Sequence, residues 1–257
     1  MTAASAGDTA AATAREARGL RAELAGRVDG EIRFDPGTRS AYAHDGSNYR
    51  QVPVGVVLPK TVDAGAEAVA VCREFGVPVL SRGGGTSLAG QCCNAAVVID
   101  WSKYCHRVVR LDPDAKTAVV EPGAVLDQVN RATAGSGLMV GPKPSTHVTC
   151  TIGGMIGNNS CGSTAQAYGK MADSVRRLEI QCYDGLRAWT GPASEDEFRQ
   201  ITAAGGRLAE IYGQLRDLRD RHLGAIRTGF PDIPRRVSGY NLDHLLPEKG
   251  FHVARFR

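Results

Sequence analysis

The chain has 257 residues, enough for one large domain or two moderate ones with a substantial core. Its 42% hydrophobic and 23% charged content is ordinary for a soluble globular protein. The net charge of +4 is small and mostly arginine, with no basic stripe interleaved with aromatics, which argues against a nucleic-acid partner; no apolar run reaches membrane-spanning length.

Met1 to Asp8 lacks a basic region and an apolar core, so it is no secretory signal and reads as a short disordered tail. Thr9 to Ala25 is rich in Ala, Arg, Glu and Leu and predicts an exposed amphipathic helix ended by Gly26. Glu31–Phe34 predicts a short strand, Thr38–Ala43 a helical turn, and Asp45–Arg50 a polar loop. Val52–Leu58 predicts a strand, with Pro53 at an edge or at the strand start. Thr61–Phe75 carries a capping Thr61, apolar residues at helical spacing and a Gly76 stop. With Val77–Leu80 as the next strand, this order predicts a βαβ unit and a parallel pair. Ala95–Asp100 is a further apolar run. His106–Asp112 and Thr117–Glu121 predict a hairpin around Pro113–Lys116, and Val125–Ala134 a helix. Arg176–Tyr183 and Arg187–Thr190 predict a second hairpin turning at Asp184–Gly185. Glu195–Arg221 is helical in period, with candidate breaks at Gly205–Gly206 and Gly213. Ser238–Glu248 reads as loop and His252–Arg257 as the opening of another strand. The predicted fold class is α+β, a small parallel unit followed by a more antiparallel one.

Two stretches stand out. In Ser81-Arg-Gly-Gly-Gly-Thr-Ser87, three residues without Cβ atoms let the backbone take positive φ and approach a ligand closely. Successive amides in such a turn form an anion site, with Arg82, Thr86 and Ser87 as added donors, suited to a pyrophosphate; a plain glycine-rich turn is the competing reading. The run fails the dinucleotide fingerprint, since Leu88 stands in the third glycine position and a strand follows. It also fails the P-loop, since Gln91-Cys92 replaces Lys-Ser/Thr, so an NTPase is disfavoured. The second stretch, Gly141 to Gly162, is polar and glycine-dense, poorly suited to a regular core helix. It reads either as a long surface loop or as a wall approaching a flat, hydrogen-bonding ligand. Its Asn158-Asn-Ser160 sequon is discounted without a secretion signal. Seven cysteines, an odd number without Cys-x-x-Cys spacing, argue against a disulfide framework, zinc or iron–sulfur site and for a reduced, cytoplasmic setting.

Together, Ser81–Gln91, Val97-Val-Ile-Asp-Trp-Ser-Lys103, Glu121-Pro-Gly123, Cys150-Thr-Ile-Gly-Gly154, Asn158-Asn-Ser160 and Gly162 resemble the FAD-binding domain of the vanillyl-alcohol oxidase/p-cresol methylhydroxylase (PCMH) superfamily. The branch is that of the FAD-linked oxidases, with D-lactate, glycolate and D-2-hydroxyglutarate dehydrogenases. Tyr240–Glu248 further resembles long bacterial members that carry FAD and iron–sulfur domains in one polypeptide. The resemblance implies a tail and helix over residues 1–30 and a two-subdomain FAD domain over residues 31–257, dividing near residue 110. It implies that Ser81, Arg82, Gly83, Gly84, Gly85, Thr86, Ser87 and Gln91 hold the FAD pyrophosphate region. Pro144, Ser145 and Thr146, with Gly153, Gly154, Asn158, Asn159, Ser160 and Gly162, would pass along the isoalloxazine and ribityl portion. The loop has no histidine, so FAD is expected to be non-covalent, and His147 is expected to be a solvent-facing loop residue. The Gly-Thr/Ser-Glu-Gly-Thr segment, closing strand, cap and cysteine clusters of the family are not in this sequence. The chain therefore reads as the amino-terminal part of a larger enzyme, incomplete at the C-terminus of its FAD domain.

The expected function is oxidation of a small 2-hydroxy acid by hydride transfer to flavin, with electrons passing to an iron–sulfur centre, quinone or cytochrome. No catalytic base is assigned; His44, His106 and His244 read as structural or solvent-exposed. The alternatives are an NADPH-dependent flavin reductase of the peptidoglycan-precursor type and a non-catalytic flavin-binding fragment. The expected location is the cytoplasm, with peripheral contact with the inner face of the membrane left open.

Overall fold

A computed structural model describes residues 6–233 and 235–256. The N-terminal tail reading thus falls largely outside the described residues, as does Arg257. Over the described residues the chain divides into two compact units: one runs to Leu138 and includes Val148–Gly154, the other joins Met139–His147 to the residues from Met155 onward.

The first unit is built on a four-stranded sheet. After helix α1 (Ala6–Arg27) come strand β1 (Gly30–Arg33), helix α2 (Pro36–Ala41), strand β2 (Gly55–Pro59), helix α3 (Val62–Glu74), strand β3 (Val79–Arg82) and strand β4 (Val97–Asp100). The spatial order is β1-β2-β4-β3, with β1 antiparallel to β2 and the other pairings parallel. The predicted βαβ unit exists, but β2 and β3 do not pair with each other; β4 enters between them. Every residue of β2 and β4 is buried, as expected of central parallel strands covered on both faces. Val57, Val97 and Ile99 point to a core shared with Leu20 and Leu24 of α1 and Ala68, Val71 and Cys72 of α3. Their neighbours Val56, Leu58 and Val98 form a core on the opposite face with Tyr42, Leu80 and Tyr104. Pro53 precedes β2 and marks its start, not an edge. Helix α3 begins where Thr61 Oγ1 accepts from the Ala64 amide and stops at Gly76, whose φ is +65°.

A hairpin of β5 (Val108–Asp112) and β6 (Thr117–Val120) follows, then helix α4 (Leu126–Thr133). The glycine-dense stretch is not loop throughout. Helix α5 (Ile152–Gly157) carries the chain from the first unit into the second, because Ile152 and Met155 supply apolar anchors three residues apart.

In the second unit, short helices α6 (Ala165–Tyr168) and α7 (Met171–Ser174) precede a hairpin of β7 (Leu178–Gln181) and β8 (Arg187–Thr190). Helix α8 (Glu195–Ala204) opens on a Ser194/Glu197 capping box and ends at Gly205. Helix α9 (Gly206–Arg221) runs through Gly213 without a break, and α10 (Leu223–Gly229) follows. Phe198, Tyr212 and Phe251 pack mutually, the Phe198–Phe251 pair edge-on at 5.3 Å between centroids, and they anchor this unit's core. The region predicted as loop contains two 3-10 turns, Leu242–Leu245 and Pro247–Lys249. The predicted strand opening at His252 is instead helix α11 (Val253–Phe256). The Arg255 amide bonds to the His252 carbonyl three residues back, a helical turn, while the His252 amide and the Phe256 carbonyl bond to His244 and Asn241 of the preceding turns.

His252 is buried, and its Nδ1 has no hydrogen-bond partner among the described residues. Burial, helped by Arg255 and His244, pushes its pKa down to about 4 from an ordinary 6.5. The proton therefore favours the unfolded chain: this contribution to stability is complete above pH 6.5 and declines as pH falls toward 4. Thermal unfolding followed by circular dichroism between pH 7 and 4.5 should show wild type losing on the order of 2 kcal/mol more than His252→Leu. Parallel pH profiles for the two proteins would contradict this.

Candidate functional site

Parallel strands β3 and β4 end side by side, with Arg82 registered against Asp100. The carboxyl edge of a parallel sheet is where open α/β folds place ligands, and both outstanding stretches meet there. Leaving β3, the chain turns at Gly83-Gly84-Gly85. A Cβ on Gly83 would stand 2.0 Å from Thr151 Oγ1, and one on Gly84 would stand 2.3 Å from the Thr149 carbonyl oxygen. The glycines are thus required by contact with another part of the chain, a cause that composition alone did not reveal. Thr151 is almost wholly buried; its hydroxyl also accepts from the Gly154 amide at 3.3 Å, tying Gly154 to the same crossing. Gly85 has φ +64°, a left-handed conformation that glycine takes freely.

Several side chains expected to face a ligand are engaged in holding the loop. Arg82 donates from Nη1 to the Cys92 carbonyl at 2.9 Å and from Nη2 to the His44 carbonyl at 3.0 Å. Its guanidinium also lies over the Tyr42 ring, 5.2 Å from the centroid. Ser81 accepts the Trp101 indole N–H at 2.8 Å. Ser87 is buried, with Oγ 3.2 Å from Cys92 Sγ. Gln91 Oε1 accepts from the Ala89 amide. Asp45 braces the far end by accepting from the Cys92 amide at 3.1 Å. Burial works to raise its pKa, but the hydrogen bonds from Ser47 and Cys92, with Arg82 nearby, hold it below the usual value.

What remains free is backbone. Among the described residues, the amides of Gly83 through Ser87 meet no acceptor, nor does the Thr86 hydroxyl. Five consecutive unpaired donors in a glycine turn, at a sheet's carboxyl edge, have the chemistry of an anion cradle. Beside them opens a cleft of about 370 Å³, walled by Tyr42, Arg82, Gly83, Gly84, Asp100 and Ser102 and by Val125, Val148 and Thr149. Asp100 is buried there, one oxygen accepting from the Ser102 amide and hydroxyl at 2.7 Å each and the other from Tyr42 Oη at 2.6 Å. Burial and the Asp100 bond raise the Tyr42 pKa well above its ordinary value. The sequence reading missed Tyr42, Asp45, Asp100, Ser102 and Thr151. Asp100 and Ser102 in Val97–Lys103 and Thr151 in Cys150–Gly154 stand in quoted motifs and carried a signal that could have been read; Tyr42 and Asp45 did not.

The remaining predicted residues divide by unit. Gly153, in the first, donates its amide to the Pro122 carbonyl at 2.9 Å and has no room for a Cβ beside Pro122. In the second, the Pro144 carbonyl accepts from the His147 amide, closing a turn over Ser145 and Thr146. His147 lies in this loop and is partly exposed. Gly162 crosses the Lys143 carbonyl so closely that its Cβ position lies 1.9 Å from that oxygen. Asn158 is exposed. Asn159 is turned inward at φ +46°; its Oδ1 accepts from the Ala172 amide at 3.0 Å, and its buried Nδ2 is unpartnered among the described residues. Ser160 is held through its backbone by Met155 and Met171. Among the described residues no group of three or more His, Cys, Asp or Glu could hold a metal ion, and no helix is long and apolar enough to cross a membrane.

Residues 53–191 match the FAD binding domain family. D-2-hydroxyglutarate dehydrogenase of Pseudomonas putida is 33% identical over 224 residues, which is 86% of this chain and 22% of that protein. Glycolate oxidase subunit GlcD of Bacillus subtilis is 32% identical over 64% of this chain and 36% of its own length. The chain thus spans about a fifth of the dehydrogenase relatives it matches. Among solved structures, 4-ethylphenol oxidase from Gulosibacter chungangensis aligns over 77% of this chain and 40% of its own, with TM-score 0.59 and 22% identity. p-Cresol methylhydroxylase aligns over 69% and 36%, with TM-score 0.59 and 18% identity. The fold is that of PCMH-type proteins, the cofactor is FAD, and the chain belongs to the FAD binding domain family.

Proposed function

We propose that this chain is the FAD-holding part of a dehydrogenase that oxidises a small 2-hydroxy acid. The carrying observation is its similarity, over 86% and 64% of its length, to proteins named D-2-hydroxyglutarate dehydrogenase and glycolate oxidase subunit. Bound FAD supplies a two-electron acceptor for the hydrogen on the carbon that bears the substrate hydroxyl.

The chain's own contribution is binding. The amides of Gly83 to Ser87 and the Thr86 hydroxyl are placed to donate to an anionic pyrophosphate, with no Cβ on the three glycines to hold it away. The cleft beside them is lined by Tyr42, Arg82, Asp100 and Ser102 together with Val125 and Val148, a mixed polar and apolar surface suited to the adjoining part of a nucleotide. By resemblance, Pro144–Thr146 and the Gly153–Gly162 stretch are proposed contacts of the isoalloxazine and ribityl portion. Of its two asparagines, Asn158 is the one whose amide is exposed. Binding is non-covalent. The electrons pass onward to an iron–sulfur centre, quinone or cytochrome, in the cytoplasm or at the inner face of its membrane.

Two outcomes follow. Denaturation should release all flavin into the supernatant, and Gly84→Ala, whose new methyl must displace Thr149, should weaken FAD binding about tenfold or more in a fluorescence titration. The control Gly26→Ala, on α1 with nothing within 4 Å, should bind as wild type does; flavin left on the precipitated chain, or equal binding by Gly84→Ala, would contradict the assignment. In the polypeptide as the cell makes it, anaerobic mixing with 2-hydroxy acids should bleach the flavin while NADPH should not. Bleaching by NADPH alone would replace the dehydrogenase reading with a reductase.

A further inference from the structure

We infer that Asp100 and Tyr42 are positioning residues: they fix Arg82, and Arg82 in turn holds the Gly83–Ser87 loop in the shape that receives a pyrophosphate. This rests on the reading of that loop as the pyrophosphate site. Arg82 is the loop's one cation, so a direct ion pair with phosphate is the expectation from sequence. The geometry points elsewhere. Both terminal nitrogens of the guanidinium are engaged by carbonyls from two separate segments, Cys92 at the far end of the loop and His44 in the connection between α2 and β2. The Nη2 atom lies 2.5 Å from where a Cβ on Gly85 would be, so the guanidinium sits under the turn it stabilises.

The orientation of that guanidinium is set from below. Tyr42 presents its ring to Arg82, and the bond from its hydroxyl to Asp100 Oδ2 at 2.6 Å anchors the far end of the ring and so fixes where it lies. Asp100 cannot turn either, since its other oxygen holds the Ser102 amide and hydroxyl. A planar fork can grip two carbonyls and stack on a ring at once; an ammonium cannot. Lysine at position 82 would keep the charge and lose the grip.

The test is FAD affinity by fluorescence titration, at low and moderate salt, for wild type, Tyr42→Phe, Arg82→Lys and the double variant. The expected result is a loss of about tenfold to a hundredfold for Arg82→Lys and about tenfold for Tyr42→Phe. The salt dependence should not change, because no charge that meets the ligand has been removed. The double variant should be no worse than Arg82→Lys, since both changes break one chain of contacts. Tyr42→Phe keeps the ring and fold, so it carries the test should Arg82→Lys unfold. If wild type binds FAD and both single variants bind within twofold of it, or if the two losses add, the inference falls and the pyrophosphate reading stands. If wild type binds no FAD, the pyrophosphate reading falls, and this inference falls with it.

Discussion

Gly83 and Gly84 run against Thr149–Thr151 at a separation that leaves no room for a methyl group, and the geometry of the first unit's carboxyl edge depends on that crossing. It joins a turn leaving β3 to a segment reached some seventy residues later in the sequence, and it aligns both at the ends of the parallel strands. Protein interiors are packed closely enough that a displaced backbone cannot be absorbed locally. A side chain at either glycine would therefore move the amide row as well as the crossing. The positive φ of Gly85 turns the chain within the stretch where the amides carry no protein acceptor among the described residues.

The division of labour at this edge differs from what the residue types suggest. Arginine, serine and glutamine are the side chains one would assign to an anion, yet Arg82, Ser81, Ser87 and Gln91 all find partners within the protein. Apart from the Thr86 hydroxyl, the donors left over belong to the backbone, which carries no side-chain entropy to lose on binding. A rigid row of amides costs little to organise when the ligand arrives, and its dipoles act at short range in partly desolvated surroundings. The polar side chains do the earlier task of keeping that row in place.

Much of the fold was legible because it follows local rules. The Thr61 cap and Gly76 stop bounded α3, the Asp184–Gly185 turn set the β7–β8 hairpin, and apolar runs located β2 and β4, though not their central place in the sheet. What could not be read locally was decided by distant contacts. Nothing near β4 says that it enters between β2 and β3. Gly153 and Gly162 looked like ligand-facing positions, yet each is small because a carbonyl from elsewhere in the chain passes beside it. His252–Arg257 reads like a strand opening, but Val253–Phe256 forms α11, held between the preceding turns. Tyr42 belongs to no motif, and Thr151 lies in one without being singled out there; the tertiary approach of their segments gives both a role.

The most direct measurement is amide hydrogen exchange, resolved by residue, on the purified chain with and without FAD. If the loop amides hold the pyrophosphate, exchange at Gly83 through Ser87 slows markedly when FAD is added, because donors open to solvent gain acceptors. The gain in protection should be greater there than at the amides of α3, which are already bonded within the helix. FAD that binds tightly while leaving exchange at Gly83–Ser87 unchanged would contradict the account, since the flavin nucleotide would then be held elsewhere.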